Sequence, residues 1–412
     1  MSHRYRLYPS PEQVPTLVRH CSDARFVWNL ALEQANLYRP DRGPTPNHAE
    51  RCRQLSEARR ETWLKEGSSS VQQGALRDFD QAMRNWWNGT HGRPTWRKAG
   101  HQEGFVVRDL VVRKLNAEWS SVVIPKLGPV KFKVSRALPE GAKSARVSLD
   151  GAGRWHVSIT STPVAREHTP TGAVVGIDRG VATTLATSDG QMMRIPTSSK
   201  MHARVKYLQR TLARQKRGSK RRAKTRQKIR TTNARITDRR KDWVEKQTTR
   251  LVDNYDAVVV ENLKVKNMVA RPKPKSDPAS PGEYLPNGAS AKAGLNRSIH
   301  ASCWSMFERR LVDKARQTGV QVLLVDPAFT SQQCSACGHT DRENRESQAV
   351  FLCRSCGYSA HADYNAARNI VARGLDLAPT PGQGARRGRK TQSARVSPDP
   401  SGRENSSAEV AA

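Results

Sequence analysis

The stretch AVVGIDRGVATTLATSDGQMMRI (residues 173–195) decides the fold of the second half of the chain. Its pattern predicts a strand ending at Asp178, a turn at Arg179–Gly180, a second strand, a turn at Asp189–Gly190 and a third strand. The first of these strands thus ends in a carboxylate. An aspartate at a strand end is usually an ordinary loop residue, so its meaning depends on which other carboxylates the fold brings to it.

Two later strands and one helix extend this pattern. YDAVVVENL (255–263) is a short continuous apolar run, typical of a buried central strand, and it places Glu261 at its carboxyl end. VQVLLVDP (320–327) predicts another buried strand. HADYNAARNIVARG predicts a helix that carries Asp363 near its start and ends at Gly374.

This order of elements resembles the ribonuclease H fold in its RuvC-like form. Asp178, Glu261 and Asp363 would then converge on one spot, where three carboxylates repel one another unless cations bind. Such hard oxygen ligands suit Mg²⁺ or Mn²⁺, and two ions ~4 Å apart can activate a water for attack on a phosphodiester. We therefore predict that the three acids are catalytic metal ligands. The alternative is that each is a loop or capping residue.

Four of the seven cysteines form two close pairs, Cys334-x2-Cys337 and Cys353-x2-Cys356. This is the spacing of a zinc ribbon, in which each pair supplies two ligands of a tetrahedron. A glycine follows each pair and suits a tight turn, because glycine accepts positive φ. All four ligand positions are filled, so we expect structural zinc; a redox dithiol is the alternative. The other cysteines are isolated and are predicted core residues: Cys21, Cys52 and Cys303.

The charge of the chain indicates a polyanionic partner. Lysine and arginine number 71 against 37 aspartates and glutamates in 412 residues, a formal net charge of +34. This imbalance favours nucleic-acid binding over a merely soluble basic protein. No apolar run approaches the ~20 residues that span a bilayer, and the first residues lack the apolar segment of a secretion signal. We expect a cytoplasmic, nucleoid-associated protein of a bacterium or archaeon, with no membrane partner.

The most basic segment, KYLQRTLARQKRGSKRRAKTRQKIRTTNARITDRR (206–240), contains one acidic residue, Asp238. Its apolar spacing predicts a helical hairpin over 200–253, with a break and a helix start at Gly218–Ser219. These positive charges would repel one another without phosphates between them, so we predict a groove for nucleic-acid backbone. A merely solvated hairpin is the alternative. The predicted phosphate contacts are Lys216, Arg217, Lys220, Arg221 and Arg222.

The first 170 residues have a different pattern. RYRLYP predicts a strand, residues 11–38 predict two helices, and VQQGALRDFDQAMRNWW predicts an amphipathic helix within 69–87. Several short strands follow and suggest a small barrel that the first strand joins. Gln72 and Gln73 of the amphipathic helix are predicted to contact base edges, since glutamine can pair bidentately with adenine. The alternative is that they only face solvent.

Eight motifs occur in an order that resembles the TnpB (OrfB) proteins of insertion sequences. They are YRLYPSPEQ, ARFVWNLALE, LRDFDQAMRNWW, GRPTWRK, GIDRGVATTLATSDG, VVVENLKVKNM, TSQQCSACGH and ADYNAARNI. The resemblance covers roughly residues 1–375, and the last four motifs are specific. It implies an RNA-guided DNA endonuclease, related to type V CRISPR effectors, that binds a transposon-derived guide RNA and cleaves double-stranded DNA beside a short motif. Base pairing then reads the sequence while the protein holds shape and backbone.

The resemblance also implies ligands, partners and domains. It carries a magnesium triad onto Asp178, Glu261 and Asp363, and it implies a protein that is monomeric when bound to its RNA. The implied architecture is a multidomain α/β chain. Its domains are a wedge β-barrel (1–10 and 96–170), a helical recognition domain (11–95), a RuvC-like nuclease (171–330 and 358–378), a zinc ribbon (331–357) and a disordered tail (379–412).

The position of the zinc ribbon suggests what it does. It precedes the helix that bears Asp363, so we expect it to fix the start of that helix. We also expect its basic surface, formed by Arg342, Arg345 and Arg354, to contact nucleic acid and to feed a DNA strand towards the three acids. Residues 271–290, rich in Pro, Ser and Lys, predict a linker or lid.

Several other functions fit the sequence less well. A tyrosine-type transposase needs two histidines separated by one residue, and the sequence contains no such pair. An acidic-triad transposase usually has glutamate on the last helix, where this chain has Asp363. A nuclease-inactive RNA-guided repressor and a zinc-ribbon nucleic-acid-binding protein would both explain the charge, but they leave three carboxylates without a role.

Overall fold

The computed structural model describes residues 2–377, apart from Pro40, Arg42, Pro44, Pro163, Val164 and Pro281. The chain divides into two compact units. Of the described residues, one unit contains those within 1–165 and 197–239, and the other contains those within 166–196 and 240–377. The predicted disordered tail, 379–412, lies outside the described residues. No described helix combines the length and the apolar character needed to cross a membrane.

A seven-stranded antiparallel sheet occupies the first unit. Its strands are β1 (Ser2–Tyr8), β2 (Gly104–Arg108), β3 (Val112–Lys114), β4 (Trp119–Ile124), β5 (Gly128–Lys133), β6 (Ser144–Leu149) and β7 (Trp155–Thr160). Their order is β2-β6-β7-β1-β5-β4-β3, so the amino-terminal strand lies at the centre of the sheet, between β7 and β5. This confirms that the first strand joins the later ones.

Three helices of the first unit share a core with this sheet. They are α1 (Gln13–Asn36), α2 (His48–Glu61) and α3 (Ser69–Trp87), and a 3-10 turn at Trp63–Glu66 precedes α3. The prediction of two helices over 11–38 is wrong, because α1 is continuous. Its single proline, Pro15, lies in the first turn, where a missing N–H is tolerated. The predicted amphipathic helix is confirmed, with Phe79 of α3 completely buried.

The basic segment forms two helices, α4 (Ser199–Arg214) and α5 (Lys220–Asn254). Gly218 between them has a φ of 82°. The hydroxyl of Ser219 accepts a hydrogen bond from the Arg222 N–H at 3.2 Å, as an N-cap does. The predicted break and helix start are therefore confirmed.

The second unit is built on a five-stranded mixed sheet. Its strands are β8 (Val174–Asp178), β9 (Leu185–Thr187), β10 (Met192–Met193), β11 (Ala257–Glu261) and β14 (Gln321–Val325), in the order β10-β9-β8-β11-β14. β11 runs parallel to both of its neighbours, and β8 to β10 form the predicted antiparallel meander. β11 is buried along its whole length, as its apolar run predicts. The strand predicted within 320–327 is confirmed as β14, but the prediction that it is buried is wrong. β14 is an edge strand, so most of it is only partly buried.

The connection from β11 to β14 contains several short elements. They are α6 (Val265–Met268), β12 (Lys275–Ser276), β13 (Tyr284–Leu285), α7 (Ala289–Ser302) and α8 (Trp304–Thr318). The predicted linker over 271–290 therefore contains a small hairpin. After β14, a hairpin of β15 (Val350–Leu352) and β16 (Ser359–His361) leads directly into α9 (Ala362–Leu377).

Helix α9 lies against the second sheet at very close range. A Cβ built on Gly176 would stand 2.3 Å from the carbonyl oxygen of Ala367, and one built on Gly374 would stand 2.4 Å from the side chain of Val259. The prediction that Gly374 ends the helix is wrong, since α9 continues to Leu377. Glycine is needed there because a larger residue would push the helix away from β11.

Candidate active site and metal centre

Two carboxylates reach the same edge of the second sheet. In the parallel ladder, Val260 of β11 is paired with Ile177 of β8. Glu261 and Asp178, one residue farther along each strand, therefore stand at adjacent strand ends. Glu261 is 6% exposed and Asp178 is half-buried. The prediction that both acids end strands is confirmed.

The third acid, Asp363, lies in the first turn of α9 and is 6% exposed. Its N–H donates a hydrogen bond to Nδ1 of His361 at 3.2 Å, which satisfies one donor at the helix start. Its carboxylate accepts a hydrogen bond from the guanidinium of Arg345 at 3.4 Å. Arg345 belongs to the segment between the two cysteine pairs. It was predicted on a surface that contacts nucleic acid, whereas in the structure it pairs with an acid of α9.

The three acids interact electrostatically. Burial, together with the negative charges of Glu261 and Asp363, raises the pKa of Asp178 to about 7, although the Arg345 cation opposes this rise. Burial also raises the pKa of Glu261, against a hydrogen bond from Thr330. The structure thus brings together the predicted acids of β8, β11 and α9. The carboxylate oxygens of the three acids do not all lie within 4.8 Å of one another. Among the described residues, only the four thiols discussed below form so tight a group of possible metal ligands.

Glu261 is held by neighbours on both sides. Oγ1 of Thr330 donates a hydrogen bond to Oε1 of Glu261 at 2.7 Å. The completely buried side chain of Arg179 donates to the main-chain carbonyl of Glu261 and to Oε2 of Glu308 on α8, the latter at 2.7 Å. Arg179 appeared in the sequence only as a turn residue. These contacts fix the end of β11 against α8.

The polar face of α9 holds the segment that leads into the first cysteine pair. Asn365 donates to the carbonyl of Gln333 at 2.8 Å and accepts from the N–H of Ser335 at 2.9 Å. Asn369 donates to the carbonyls of Thr330 and Gln333 at 2.9 and 2.6 Å. Both asparagines are buried, so losing these partners would leave polar groups unpaired in the interior. α9 and the cysteine cluster are therefore firmly joined.

The four thiols of the two cysteine pairs lie within 4.8 Å of one another. Sγ of Cys334 is 3.8 Å from Sγ of Cys356, and Sγ of Cys337 is 3.6 Å from Sγ of Cys353. The glycines that follow the two pairs adopt φ values of 78° and 72°, as predicted. Four sulfur ligands at this spacing suit a tetrahedral metal ion such as zinc.

The structure contradicts the predicted role of Gln72. Its side chain is 0% exposed, and its amide nitrogen donates to Asp23 and to the carbonyl of Leu64, both at 2.9 Å. Its amide oxygen accepts a hydrogen bond from Arg59. Both ends of the amide are occupied, so Gln72 fixes α3 to the preceding turn. Gln73 is half-buried, and its contact with bases stays a prediction.

Arg222 also differs from the other predicted phosphate contacts. It is half-buried and donates to the carbonyls of Leu212 and Gln215 at the end of α4, the second at 2.9 Å. A cation at this position satisfies free carbonyls and complements the helix dipole, so Arg222 is a helix cap. The other predicted phosphate contacts of the hairpin are exposed, and their role stays a prediction: Lys216, Arg217, Lys220 and Arg221.

The remaining sequence predictions concern Arg354 and the isolated cysteines. Arg354 is exposed and forms an ion pair with Glu346 at 3.3 Å, and its contact with nucleic acid stays a prediction. Cys21 is buried as predicted, whereas Cys52 and Cys303 are only partly buried.

Three family models match parts of the chain. A "Helix-turn-helix domain" of the OrfB IS605 group matches residues 1–39, and a "Probable transposase" of the same group matches residues 156–271. A "Cas12f1-like, TNB domain" matches residues 304–370. The second match contains Asp178 and Glu261, and the third contains Asp363 and all four clustered thiols.

Known relatives extend over most of the chain. A "Putative RNA-guided DNA endonuclease InsQ" of Escherichia coli (strain K12) is 35% identical over 376 residues, which cover 90% of this chain and 91% of that protein. The chain belongs to the OrfB (TnpB) family. A "Putative RNA-guided DNA endonuclease" of Streptomyces pristinaespiralis is 31% identical to this OrfB protein over 381 residues, covering 90% and 89% of the two chains.

The fold of this OrfB protein is similar to that of a solved structure titled "Cryo-EM structure of the Cas12f1-sgRNA-target DNA complex". The two chains share 15% identity with a TM-score of 0.50, and the match covers 87% of this chain and 82% of the other. At this level of identity the similarity concerns the fold alone, a mixed α/β architecture.

Proposed function

We propose that this OrfB protein is an RNA-guided DNA endonuclease that hydrolyses a phosphodiester with the help of divalent cations. The observation that carries the proposal is the meeting of Asp178, Glu261 and Asp363, in which burial and the two acidic neighbours raise the pKa of Asp178 to about 7. The relatives from E. coli and S. pristinaespiralis are named for this activity. The acids are present at all three positions, which favours a nuclease over an inactive binding protein.

The donor set fits Mg²⁺ or Mn²⁺. Three carboxylates offer only hard oxygen ligands, and buried acids that repel one another are stabilised when a cation binds between them. Asp178, Glu261 and Asp363 would hold two such ions. When bound, ions of this kind activate a water and offset negative charge on the reacting phosphate.

The neighbouring residues would keep the acids in place. Thr330 orients one oxygen of Glu261, and Arg179 fixes the end of the strand that carries it. Arg345 pairs with Asp363 and partly offsets its negative charge. Arg345 lies between the two cysteine pairs, so we propose that a structural zinc ion in the thiol cluster sets the position of Asp363.

We assign a domain role to each of the two large sheets. We assign the five-stranded sheet with α9 to a RuvC-like nuclease domain of the RNase H type, because a meander, a central parallel strand and a late helix each supply one acid. We assign the seven-stranded sheet to a wedge barrel and α1 to α3 to a recognition domain inserted between β1 and β2. The thiol cluster is assigned to a zinc ribbon that contacts target DNA.

The proposed partners are a transposon-derived guide RNA and double-stranded target DNA, with one protein bound to each RNA. The net charge of +34 supports a large polyanionic partner. Exposed cations of the helical hairpin, such as Lys220 and Arg221, supply candidate contacts with phosphates.

The RNA that copurifies with the full chain tests this proposal. We expect a defined RNA from the 3′ flank of the protein's own gene, whereas a heterogeneous cellular population would contradict guidance. The protein loaded with that RNA should cut guide-matched DNA in the presence of Mg²⁺ and leave unmatched DNA intact. If matched DNA were bound tightly but never cut, the nuclease-inactive repressor would be the correct function.

A further inference from the structure

The second unit contains a cleft of about 600 Å³ that plays no part in the chemistry described above. It lies between the segment that follows β11 and one face of α8. Six charged side chains line it, four cations and two acids: Lys264, Lys266, Arg309, Arg316, Glu308 and Asp313.

The cleft carries a net positive charge, because its acids are paired and its cations are not. Its four cations are exposed, and within the described part of the chain none of them has a hydrogen-bond or ion-pair partner. Both acids are already neutralised. Glu308 pairs with Arg179 at 2.7 Å, and Asp313 pairs with Arg310 at 3.0 Å. The cleft therefore offers four uncompensated positive charges to a ligand.

The geometry of α8 favours an extended ligand over a small anion. Ser305, Arg309, Val312 and Arg316 all line the cleft, and their spacing of four, seven and eleven residues places them on one face of a helix. Arg309 and Arg316 stand ~10 Å apart along the helix axis, at 1.5 Å per residue. The opposite face of α8 is buried through Phe307 and other core residues. Two guanidinium groups at this separation can contact two different phosphates of one polymer strand.

The lining of the cleft begins two residues after Glu261, at Leu263. Lys264 follows Glu261 by three residues, so their Cα atoms are at most ~11 Å apart. The α8 wall of the cleft is also linked to Glu261. Arg179 donates both to Glu308 of α8 and to the main-chain carbonyl of Glu261. A strand whose phosphate lies at the acids can therefore continue into the cleft.

We propose that this cleft binds phosphates of the DNA strand that is being cut, to one side of the scissile bond. The inference rests on the proposed function. The cut strand is favoured over the guide RNA because it alone must bring a phosphate to Glu261, from which the cleft extends.

The double variant Arg309→Ala/Arg316→Ala tests this assignment in the full chain loaded with guide RNA. Binding of a labelled single-stranded DNA of unrelated sequence is measured against salt, in an Asp178→Ala background that prevents cutting. For single strands, each phosphate contact contributes about −0.7 to the slope of log affinity against log salt concentration. The loss of two contacts should therefore make the fall in affinity between ~50 and ~200 mM salt about sevenfold smaller. Guide-RNA affinity and the thermal unfolding midpoint should not change, because both side chains are exposed.

The charge-preserving variant Arg309→Lys/Arg316→Lys is the matched control and should keep the wild-type slope. An unchanged slope in the alanine variant would overturn the cleft assignment, and guided cutting by the wild type would then leave the proposed function intact. A loss of guide-RNA affinity would assign the cleft to RNA and would also overturn the inference. Failure of the proposed function can be told apart from failure of the cleft assignment. In that case the wild-type protein itself would not cut guide-matched DNA.

Discussion

Gly176 of β8 lies directly against the main chain of Ala367 in α9. An added Cβ would stand 2.3 Å from the Ala367 carbonyl oxygen and 2.6 Å from the backbone nitrogen of Val371. Neither backbone atom can move without moving the helix. Because Asp178 follows Gly176 by two residues and Asp363 lies one helical turn before Ala367, this contact sets the separation of the two acids.

Gly176→Ala should therefore destabilise the protein and weaken divalent-cation binding. Overpacking of this kind costs ~1–3 kcal/mol, which urea denaturation can measure. Gly294→Ala on α7 is a matched control, since the nearest atom to its added Cβ is the guanidinium nitrogen of Arg297 at 3.7 Å. That change should stabilise the protein by up to ~1 kcal/mol, because alanine favours the helix. A Gly176→Ala protein as stable as the wild type would contradict the close packing.

The pKa of Asp178, about 7, predicts a pH-dependent stability in magnesium-free buffer. The folded state holds this proton more tightly than the unfolded state, whose aspartate pKa is ~3.9. The resulting stabilisation is complete below about pH 4 and is lost as the pH rises through 7. The free energy of unfolding of Asp178→Asn minus that of the wild type should therefore be larger at pH 8 than at pH 5. Mg²⁺ should reduce this difference at pH 8. Equal differences at the two pH values would show that the pKa of Asp178 is not raised in the folded protein.

Gln72 and Gln73 are adjacent in sequence but should behave differently. Gln72→Ala should destabilise α3 by ~1–3 kcal/mol, because Asp23 and Arg59 would lose their partner inside the protein. Gln73→Ala should leave stability unchanged and alter which flanking motif is cut. Sequencing the products from a library with randomised flanks measures that preference. An unaltered preference in the Gln73 variant would remove this residue from the motif-reading site.

Loss of the thiol cluster should affect the acids through α9. Cys353→Ser should lower bound zinc and cleavage activity together, because metal–thiolate bonds order this small module. Zinc content is measured by elemental analysis and cleavage with guide-matched DNA. Cys21→Ser, at an isolated cysteine of the first unit, is the control and should retain full zinc. A zinc-free protein that cuts at the wild-type rate would refute the coupling between the cluster and Asp363.

The elements of the second sheet could be predicted from the sequence because their signals are local. The apolar run before Glu261 specified a buried strand, the alternating turns after Asp178 specified a meander, and the two cysteine pairs specified a thiol cluster. Each of these signals lies within a short window and follows from strand period, turn chemistry or ligand spacing.

Features that depend on contacts between distant segments could not be predicted in this way. Arg345 pairs with an acid of another element, and Gln72 is buried against α1 and the turn before α3. A glycine such as Gly374 is typical of a helix end, yet here it lies inside α9 and lets the helix pack closely against Val259. Arg222 lies in a run of cations, and only the fold distinguishes a helix cap from a phosphate contact.

We propose that Asp178, Glu261 and Asp363 form the catalytic centre of a guided nuclease. The most direct test is the single-turnover cleavage rate of guide-matched DNA by RNA-loaded Asp178→Ala, with target binding measured on the same samples. We predict that cutting is abolished while RNA and target binding stay close to wild type, because the negative charge needed to hold the cations is lost. Cleavage by this variant at a rate near that of the wild type would contradict the claim.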